Sequence, residues 1–220
     1  MSTTLYKLIN EGEHQQQDFK FCINDSKKIA ISLVAFANTN GGRLLIGVKD
    51  NGKIVGIKSD EEFYMVEAAA KIHSKPAIVF LTKQWQIEGK TVLEILIDAS
   101  QKKPHFAKTE NGKWLAYIRC ADENILAHKI QIEVWKKQGS KQGIYFSYSE
   151  DEKFLIHYLQ QNGSISFSKF IRLAHISTKK AEDILSNFIV MNIVAINQSN
   201  EGTYFSLSKN IPNSELEKLK

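Results

Sequence analysis

The stretch that most constrains the fold is "SKKIAISLVAFANTNGGRLLIGV", residues 26–48, where the spacing of apolar residues changes from helical to strand-like across two glycines. Ile29, Leu33 and Phe36 stand at helical spacing and predict an amphipathic helix over 26–38, with Ser26 as its N-cap. The glycines at 41 and 42 supply the positive φ that ends a helix. A helix that turns directly into a strand predicts a mixed α+β domain.

Further helices and strands follow in the first part of the chain. "RLLIGVKD" and "KIVGIK", separated by Asn-Gly, predict a tight β-hairpin. Residues 60–73 have the pattern of a second helix, and 77–87, 91–99, 105–108 and 113–119 have the pattern of strands. A helix over 123–138 is expected to close this domain, which we assign to residues 1–138.

The second part of the chain has a different element order. The Gly- and Ser-containing segment 139–149 has no helical periodicity and is expected to be a linker. Residues 150–209 then predict three helices and two strands, which is the order of a winged-helix domain, and 210–220 is expected to be a flexible tail.

Charge and hydrophobicity limit the function classes. The formal net charge is +5, and residues 1–149 carry all of the excess, with 21 Lys and Arg against 16 Asp and Glu. A basic excess in one domain is compatible with a polyanionic partner. No run approaches the roughly 20 apolar residues of a membrane span, and the first residues lack a signal-peptide pattern, so we expect a soluble, cytoplasmic protein. Cys22 and Cys120 have no metal-binding or disulfide spacing and are expected to be reduced.

Four motifs carry a family resemblance: "GEHQQQDFK", "AFANTNGG", "LLIGVKDNGKIVGI" and "YIRCADENILAH". Together they resemble the Schlafen/divergent AlbA family over roughly residues 8–137. The resemblance implies a nucleic-acid-binding α+β fold. Some Schlafen proteins are ribonucleases with three carboxylates, a pattern that falls here on Glu13, Asp18 and Asp50.

Three clustered carboxylates would suit Mg²⁺ or Mn²⁺, which activate water for phosphodiester cleavage. In a regular strand, however, alternation places Glu13 and Asp18 on opposite faces, so the metal site requires a loop or bulge near "HQQ". The alternative is structural: Asp18 pairs with a lysine, and Asp50 is a turn residue of "DNG".

An ATPase is not expected. The only "GKT" is Gly89-Lys90-Thr91, which lacks the glycine that a phosphate-binding loop needs five residues earlier and is followed by a strand. We interpret it as a hairpin turn.

Phosphates are typically contacted by amide, guanidinium and lysine groups. These groups lie in loops or on the third helix of a winged-helix domain. The predicted nucleic-acid-binding residues are Lys20, Asn38, Asn40, Arg43, Lys102, Lys103, His105, Lys108, Arg119, Lys179 and Lys180.

The sequence therefore predicts a DNA- or RNA-binding protein, with transcriptional regulation as its role. A metal-dependent endoribonuclease and a protein-interaction module stay open as alternatives. A homodimer is expected, because Schlafen cores resemble two such domains around a groove and this chain has one.

Overall fold

A computed structural model describes residues 2–140 and 149–209, and these divide into two compact units, 1–127 and 128–220. The described residues form seven helices and several sheets, which confirms the α+β prediction. None of the described helices has the length and apolar character that crossing a membrane requires.

The first unit contains three helices and nine strands: α1 (Ser2–Asn10), β1 (Gln17–Lys20), α2 (Ser26–Asn38), β2 (Gly42–Ile46), α3 (Glu61–Lys71), β3 (Ser74–Lys75), β4 (Leu81–Ile87), β5 (Lys90–Ile97), β6 (Phe106–Lys108), β7 (Trp114–Leu115), β8 (Tyr117–Cys120) and β9 (Glu123–Leu126). Its main sheet has the order β1-β2-β5-β4, in which only β1 and β2 are parallel. A small sheet has the order β3-β6-β7, and β8 pairs with β9.

The main sheet is covered on both faces. The side chains of α1 pack on one face with a cluster that includes Leu5, Phe19, Leu45, Trp85 and Val92. The other face packs against α2 and α3, in a larger cluster that includes Leu33, Phe36, Leu44, Ile95 and Val66. Helix α2 contacts β2 and β5 of the main sheet and also β6 and β8. Nine of its residues are therefore buried, a wider stripe than an amphipathic surface helix shows.

Several local predictions need correction. The cap of α2 is Asp25, whose side chain accepts a hydrogen bond from the Lys27 amide, and not Ser26. The hairpin predicted after α2 forms only in part. The Val48–Ile54 bridge, together with bonds from the Lys49 and Val55 amides to the Lys53 and Gly47 carbonyls, joins the two runs, but the strand partners of β2 are β1 and β5. Helix α1 was not predicted at all.

The second unit contains α4 (Lys129–Gly139), α5 (Glu150–Asn162), β10 (Ser164–Ser166), α6 (Phe167–Ala174), α7 (Thr178–Val190), β11 (Val194–Ser199) and β12 (Gly202–Leu207). The strands form an antiparallel sheet with the order β10-β12-β11. Three helices and a terminal hairpin are thus present over 150–209. The predicted tail and most of the predicted linker lie outside the described residues.

Helix α4 differs from its prediction in position and in partner. Residues 123–126 form β9, and the helix begins only at Lys129, after His128 accepts a capping bond from the Ile130 amide. Ile130 and Val134 are buried in the core of the second unit. The division therefore falls at 127/128, and α4 belongs with the second unit and not with the first.

Candidate nucleic-acid interface

Glu13 and Asp18 are brought together by the reversal of the chain between them. His14 and Gln17 form an isolated antiparallel bridge, so the residues before β1 fold back beside it. The Phe19 amide then donates to Glu13 Oε1 over 2.8 Å. This is the loop that the alternation argument required.

Asp18 is a buried carboxylate, with a relative exposure of 2%, surrounded by donors. Lys20 Nζ lies 2.9 Å from it, Ser32 Oγ donates over 3.1 Å, and an Arg119 nitrogen lies 3.6 Å away. Burial raises the pKa of Asp18, but the hydrogen bond from Glu13 and the charges of Lys20 and Arg119 outweigh it, so the net shift is downward. Asp18 is the ionised member of the pair.

Glu13 is the protonated member of the same pair at mildly acidic pH. Burial, followed by the hydrogen bond to Asp18, raises the pKa of Glu13 to about 7. The two carboxyl groups thus share a proton site, which resembles the behaviour of close carboxyl pairs in general.

Asp50 does not complete a metal site. It is exposed in the turn closed by the Gly52 amide and the Lys49 carbonyl. Within residues 2–140 and 149–209, no three His, Cys, Asp or Glu side chains are grouped so that they could hold a metal ion. The side chains present therefore do not fit the Mg²⁺ or Mn²⁺ site that the resemblance implied.

Arg119 and Lys20, two of the predicted nucleic-acid-binding residues, bind Asp18 and backbone carbonyls instead. The Arg119 side chain is 1% exposed and donates to the Gln17 and His14 carbonyls and to Asn124 Oδ1, at 3.0–3.4 Å. Lys20 donates to Asp18 and to the Phe19 carbonyl. Both cations neutralise Asp18 and stabilise β1. Because the Arg119 side chain is buried, it has no access to a phosphate.

Asn38 and His105 are also structural, because both are almost fully buried. Asn38 Nδ2 donates to the carbonyls of His105 and Tyr117 at 2.9 Å each, and its Oδ1 accepts from the His105 amide at 2.8 Å. The His105 ring lies 2.9 Å from the Pro76 carbonyl and 2.7 Å from Ser100 Oγ. Burial lowers the pKa of His105, so the ring is neutral near pH 7.

Asn40 and Arg43 line an open cleft of about 530 Å³ together with His14 and Gln16. The Arg43 side chain already has two partners. Its Nε forms an ion pair with Glu94 Oε1 at 2.9 Å, although the N–H does not point along a hydrogen bond. Another nitrogen of its guanidinium group donates to the Gln17 side chain. The cleft also contains the carboxylates of Glu11 and Asp98. Of the two predicted contacts, Asn40 is exposed, and its side chain has no hydrogen-bond partner among the residues that the structure describes.

The lysines of the segment 102–108 are not neutralised. Lys102 is exposed, Lys108 is half-buried on β6, and no carboxylate of the described chain forms an ion pair with either. Lys103 differs from these two lysines because its ammonium group is already bound within the fold. Its Nζ donates to the Thr39 carbonyl over 3.0 Å, and burial lowers the pKa of Lys103.

Lys108 belongs to a surface that the sequence analysis did not identify. In the small sheet, Lys75 pairs with Phe106, and Lys108 pairs with Trp114. Ser74 and Ala107, the alternate residues, are buried, so these four side chains share the outer face. We call Lys75, Phe106, Lys108 and Trp114 the lysine–aromatic face. The signal was present in "HFAK" and "KWL", which were predicted as strands but not examined as one surface.

The basic residues of α7 have acidic partners. Lys179 Nζ lies 3.4 Å from Asp183, and Lys180 pairs with Asp151 of α5, which raises the pKa of Lys180. Both lysines are exposed on the helix, but their charges are locally compensated.

The comparisons with known proteins agree with the motifs. Similar solved structures include the N-terminal domain of a RecG-related protein from Nitrosomonas europaea, with 24% identity, 49% of this chain and 80% of that chain covered, and a TM-score of 0.39. The DIP2311 protein from Corynebacterium diphtheriae has 15% identity over 89% of this chain, with a TM-score of 0.45, and this chain spans about a third (34%) of it. No curated protein sequence matches. The family model described as "Schlafen, AlbA_2" matches residues 13–128, more than half of the 220 residues, and the chain therefore belongs to the Schlafen AlbA_2 family.

Proposed function

We propose that this chain binds single-stranded nucleic acid on the lysine–aromatic face. The observation that carries the proposal is the alternation of two lysines with two aromatic rings on one sheet surface, where Lys75 and Trp114 are exposed and Phe106 and Lys108 are half-buried. Membership in the Schlafen AlbA_2 family supports a nucleic-acid-related role in general.

The chemistry of this face suits a strand whose bases are unpaired. Bases stack on aromatic rings whatever their sequence, while lysines neutralise the backbone phosphates. Trp114 is 39% exposed and lies opposite Lys108, so one base and one phosphate can be contacted side by side. The exposed Lys113 directly precedes Trp114 in the chain and adds positive charge beside this face.

Tryptophan fluorescence tests the proposal directly. The chain has three tryptophans, and Trp85 and Trp135 are buried, with exposures of 6% and 8%. We expect oligo(dT) or oligo(rU) to quench the emission of Trp114, and Trp114→Phe to abolish most of the quenching. Trp114→Ala should weaken binding by about 1–3 kcal/mol, roughly five- to 150-fold in Kd.

Tyr64→Ala is the matched control, because Tyr64 is an exposed aromatic residue on α3, outside this face. Binding that Trp114→Ala and Tyr64→Ala reduce equally would contradict the proposal. So would an affinity that does not change between low and high salt, since each phosphate contact on a single strand contributes a log–log salt slope of about −0.7. Lys108→Ala should reduce that slope by about this amount.

Regulation of transcription through a winged helix stays a prediction. The order of helices and strands in 150–209 is compatible with it, but Lys179 and Lys180 have carboxylate partners, so we assign phosphate contacts to the first unit. We do not propose a nuclease, because the three carboxylates do not form a metal-binding group.

A further inference from the structure

Strand β4 is the last strand of the main sheet, and its outer edge has no neighbour among the strands of the described chain. Its first four residues are all exposed, including Leu81 at 66%, and Val79 just before it is 86% exposed. An uncovered edge that also exposes apolar side chains is a site where another strand can pair.

The turn after β4 fixes which backbone groups point outward. Glu88 and Gly89 both have positive φ, 52° and 73°, and form a two-residue turn flanked by Ile87 and Lys90. In such a hairpin the residues that flank the turn, here Ile87 and Lys90, exchange both backbone hydrogen bonds. The next pair, Gln86 and Thr91, exchanges none. Consistently, the Thr91 carbonyl points away from β4 and accepts from the Ile57 amide.

The alternation therefore leaves the N–H and C=O groups of Thr82, Gln84 and Gln86 directed away from β5. Across the described parts of the chain, no other segment bonds to these groups. They are evenly spaced about Gln84, so the edge is complementary to its own antiparallel copy.

We propose that two copies of this chain pair through their β4 edges, with a two-fold axis beside Gln84. In this register Gln84 of each copy bonds to Gln84 of the other, and Thr82 bonds to Gln86. The two four-stranded sheets then form one continuous sheet of eight strands. The exposed edge would be removed by closed two-fold pairing, the commonest symmetry of soluble oligomers.

The side chains fit the same register. Leu81 lies opposite Ile87 of the second copy, which gives the exposed leucine an apolar neighbour. Lys83, the only charged residue of the strand, lies opposite Trp85 and not opposite its own copy. The Lys83 Nζ lies over the Trp85 ring, 3.7 Å from its centroid. The ammonium group is therefore held on the face of the sheet, where it does not block pairing of another strand with the edge.

Light scattering on the full chain at about 1–100 µM tests this pairing. The wild-type protein should change with concentration from 25.0 kDa toward twice that mass. Gln84→Pro removes an outward N–H without touching the β4–β5 bonds, and should raise the dimer Kd roughly tenfold to a hundredfold. A monomer throughout that range, or a dimer that Gln84→Pro leaves unchanged, would overturn the proposal.

A charge pair provides the second test, in case the proline variant does not fold. Gln84→Lys and Gln84→Glu each place like charges at the axis and should weaken the dimer about fivefold, whereas mixing the two variants should restore it as a heterodimer. Gln161→Lys, the same change on exposed α5, should have no effect. Failure of the mixture to recover a dimer would exclude the axis at Gln84.

Discussion

At the scale of single residues, the pair of Glu13 and Asp18 gives the stability of the protein a specific pH dependence. The folded pKa of Glu13 is about 7, above its ordinary value of 4.5, so folding binds a proton between these values. The contribution of Glu13 is therefore fully present below about pH 4.5 and is lost as pH rises through 7. Asp18, whose pKa is lowered, contributes in the opposite direction, and its stabilisation is lost as pH falls below its unfolded value.

Glu13→Gln should keep the bond from the Phe19 amide and donate permanently to Asp18. We expect this variant to be more stable than the wild type by about 1 kcal/mol at pH 8, after allowing for partial exposure, and no more stable at pH 4.5. Urea unfolding at the two pH values measures the difference. Glu110→Gln, at an exposed turn position, is the control. A pH-independent difference for Glu13→Gln would show that Glu13 does not carry the shared proton.

Residue identity alone could not separate structural from accessible polar groups. Asn38 and Asn40 are two positions apart in one motif, yet Asn38 is 2% exposed and bonded on every side, whereas Asn40 is exposed. The partners of Asn38 are Tyr117 and His105, 67 or more positions away, so no local pattern contains this information. Arg119 was misassigned for the same reason.

At the scale of elements, prediction succeeded where the pattern was local. The end of α2, where Gly41 has a positive φ but Gly42 does not, helix α3 and the β4–β5 hairpin were predicted from spacing and turn residues. The hairpin after α2 is incomplete, because β2 pairs with β5 and with β1, a four-residue strand earlier in the chain. Strand β1 contributes Gln, Asp and Lys, and their burial depends on partners that only the tertiary structure supplies.

The turn from α2 into β2 depends on Gly41 for two separable reasons. Gly41 has φ of +70°, and a Cβ there would lie 2.6 Å from the Ile97 carbonyl oxygen, which belongs to the neighbouring strand backbone. Gly12 has nearly the same φ, +72°, with nothing within 4 Å. Gly12→Ala should thus cost about 1 kcal/mol, and Gly41→Ala roughly 2–4 kcal/mol, since backbone atoms must also shift.

The free energies of unfolding in urea measure both changes, and the difference between them isolates the steric part. Equal losses for the two variants would mean that the close approach of Ile97 is relieved at no cost, and that only the backbone conformation requires glycine at this turn.

At the scale of the whole molecule, the division at 127/128 changes the distribution of charge. Residues 1–127 have 17 Lys and Arg against 15 Asp and Glu, and residues 128–220 have 12 against 9. The basic excess is thus not confined to the first unit, as the predicted boundary had implied. Nucleic-acid affinity in the first unit must come from local arrangement, such as the lysine–aromatic face, and not from its net charge.

Helix α4 determines where the second unit can be cut. Ile130 and Val134 are 0% and 2% exposed within its core, and Lys129 and Lys137 contact Glu182 and Asp183 of α7. Burial of an aliphatic side chain stabilises by roughly 1.5–3 kcal/mol, so these two alone contribute about 3–6 kcal/mol. That is comparable with the entire stability of a small domain.

A fragment of residues 128–220 should therefore fold, with a cooperative thermal transition, whereas a fragment of residues 139–220 should not. Circular dichroism during heating distinguishes the two outcomes. A double variant of the longer fragment, Ile130→Ala with Val134→Ala, keeps the helix but removes its buried side chains, and should reproduce most of the loss. If the shorter fragment unfolds as cooperatively as the longer one, α4 packs on a domain that is already stable, and the boundary at 138 predicted from the sequence is the correct one.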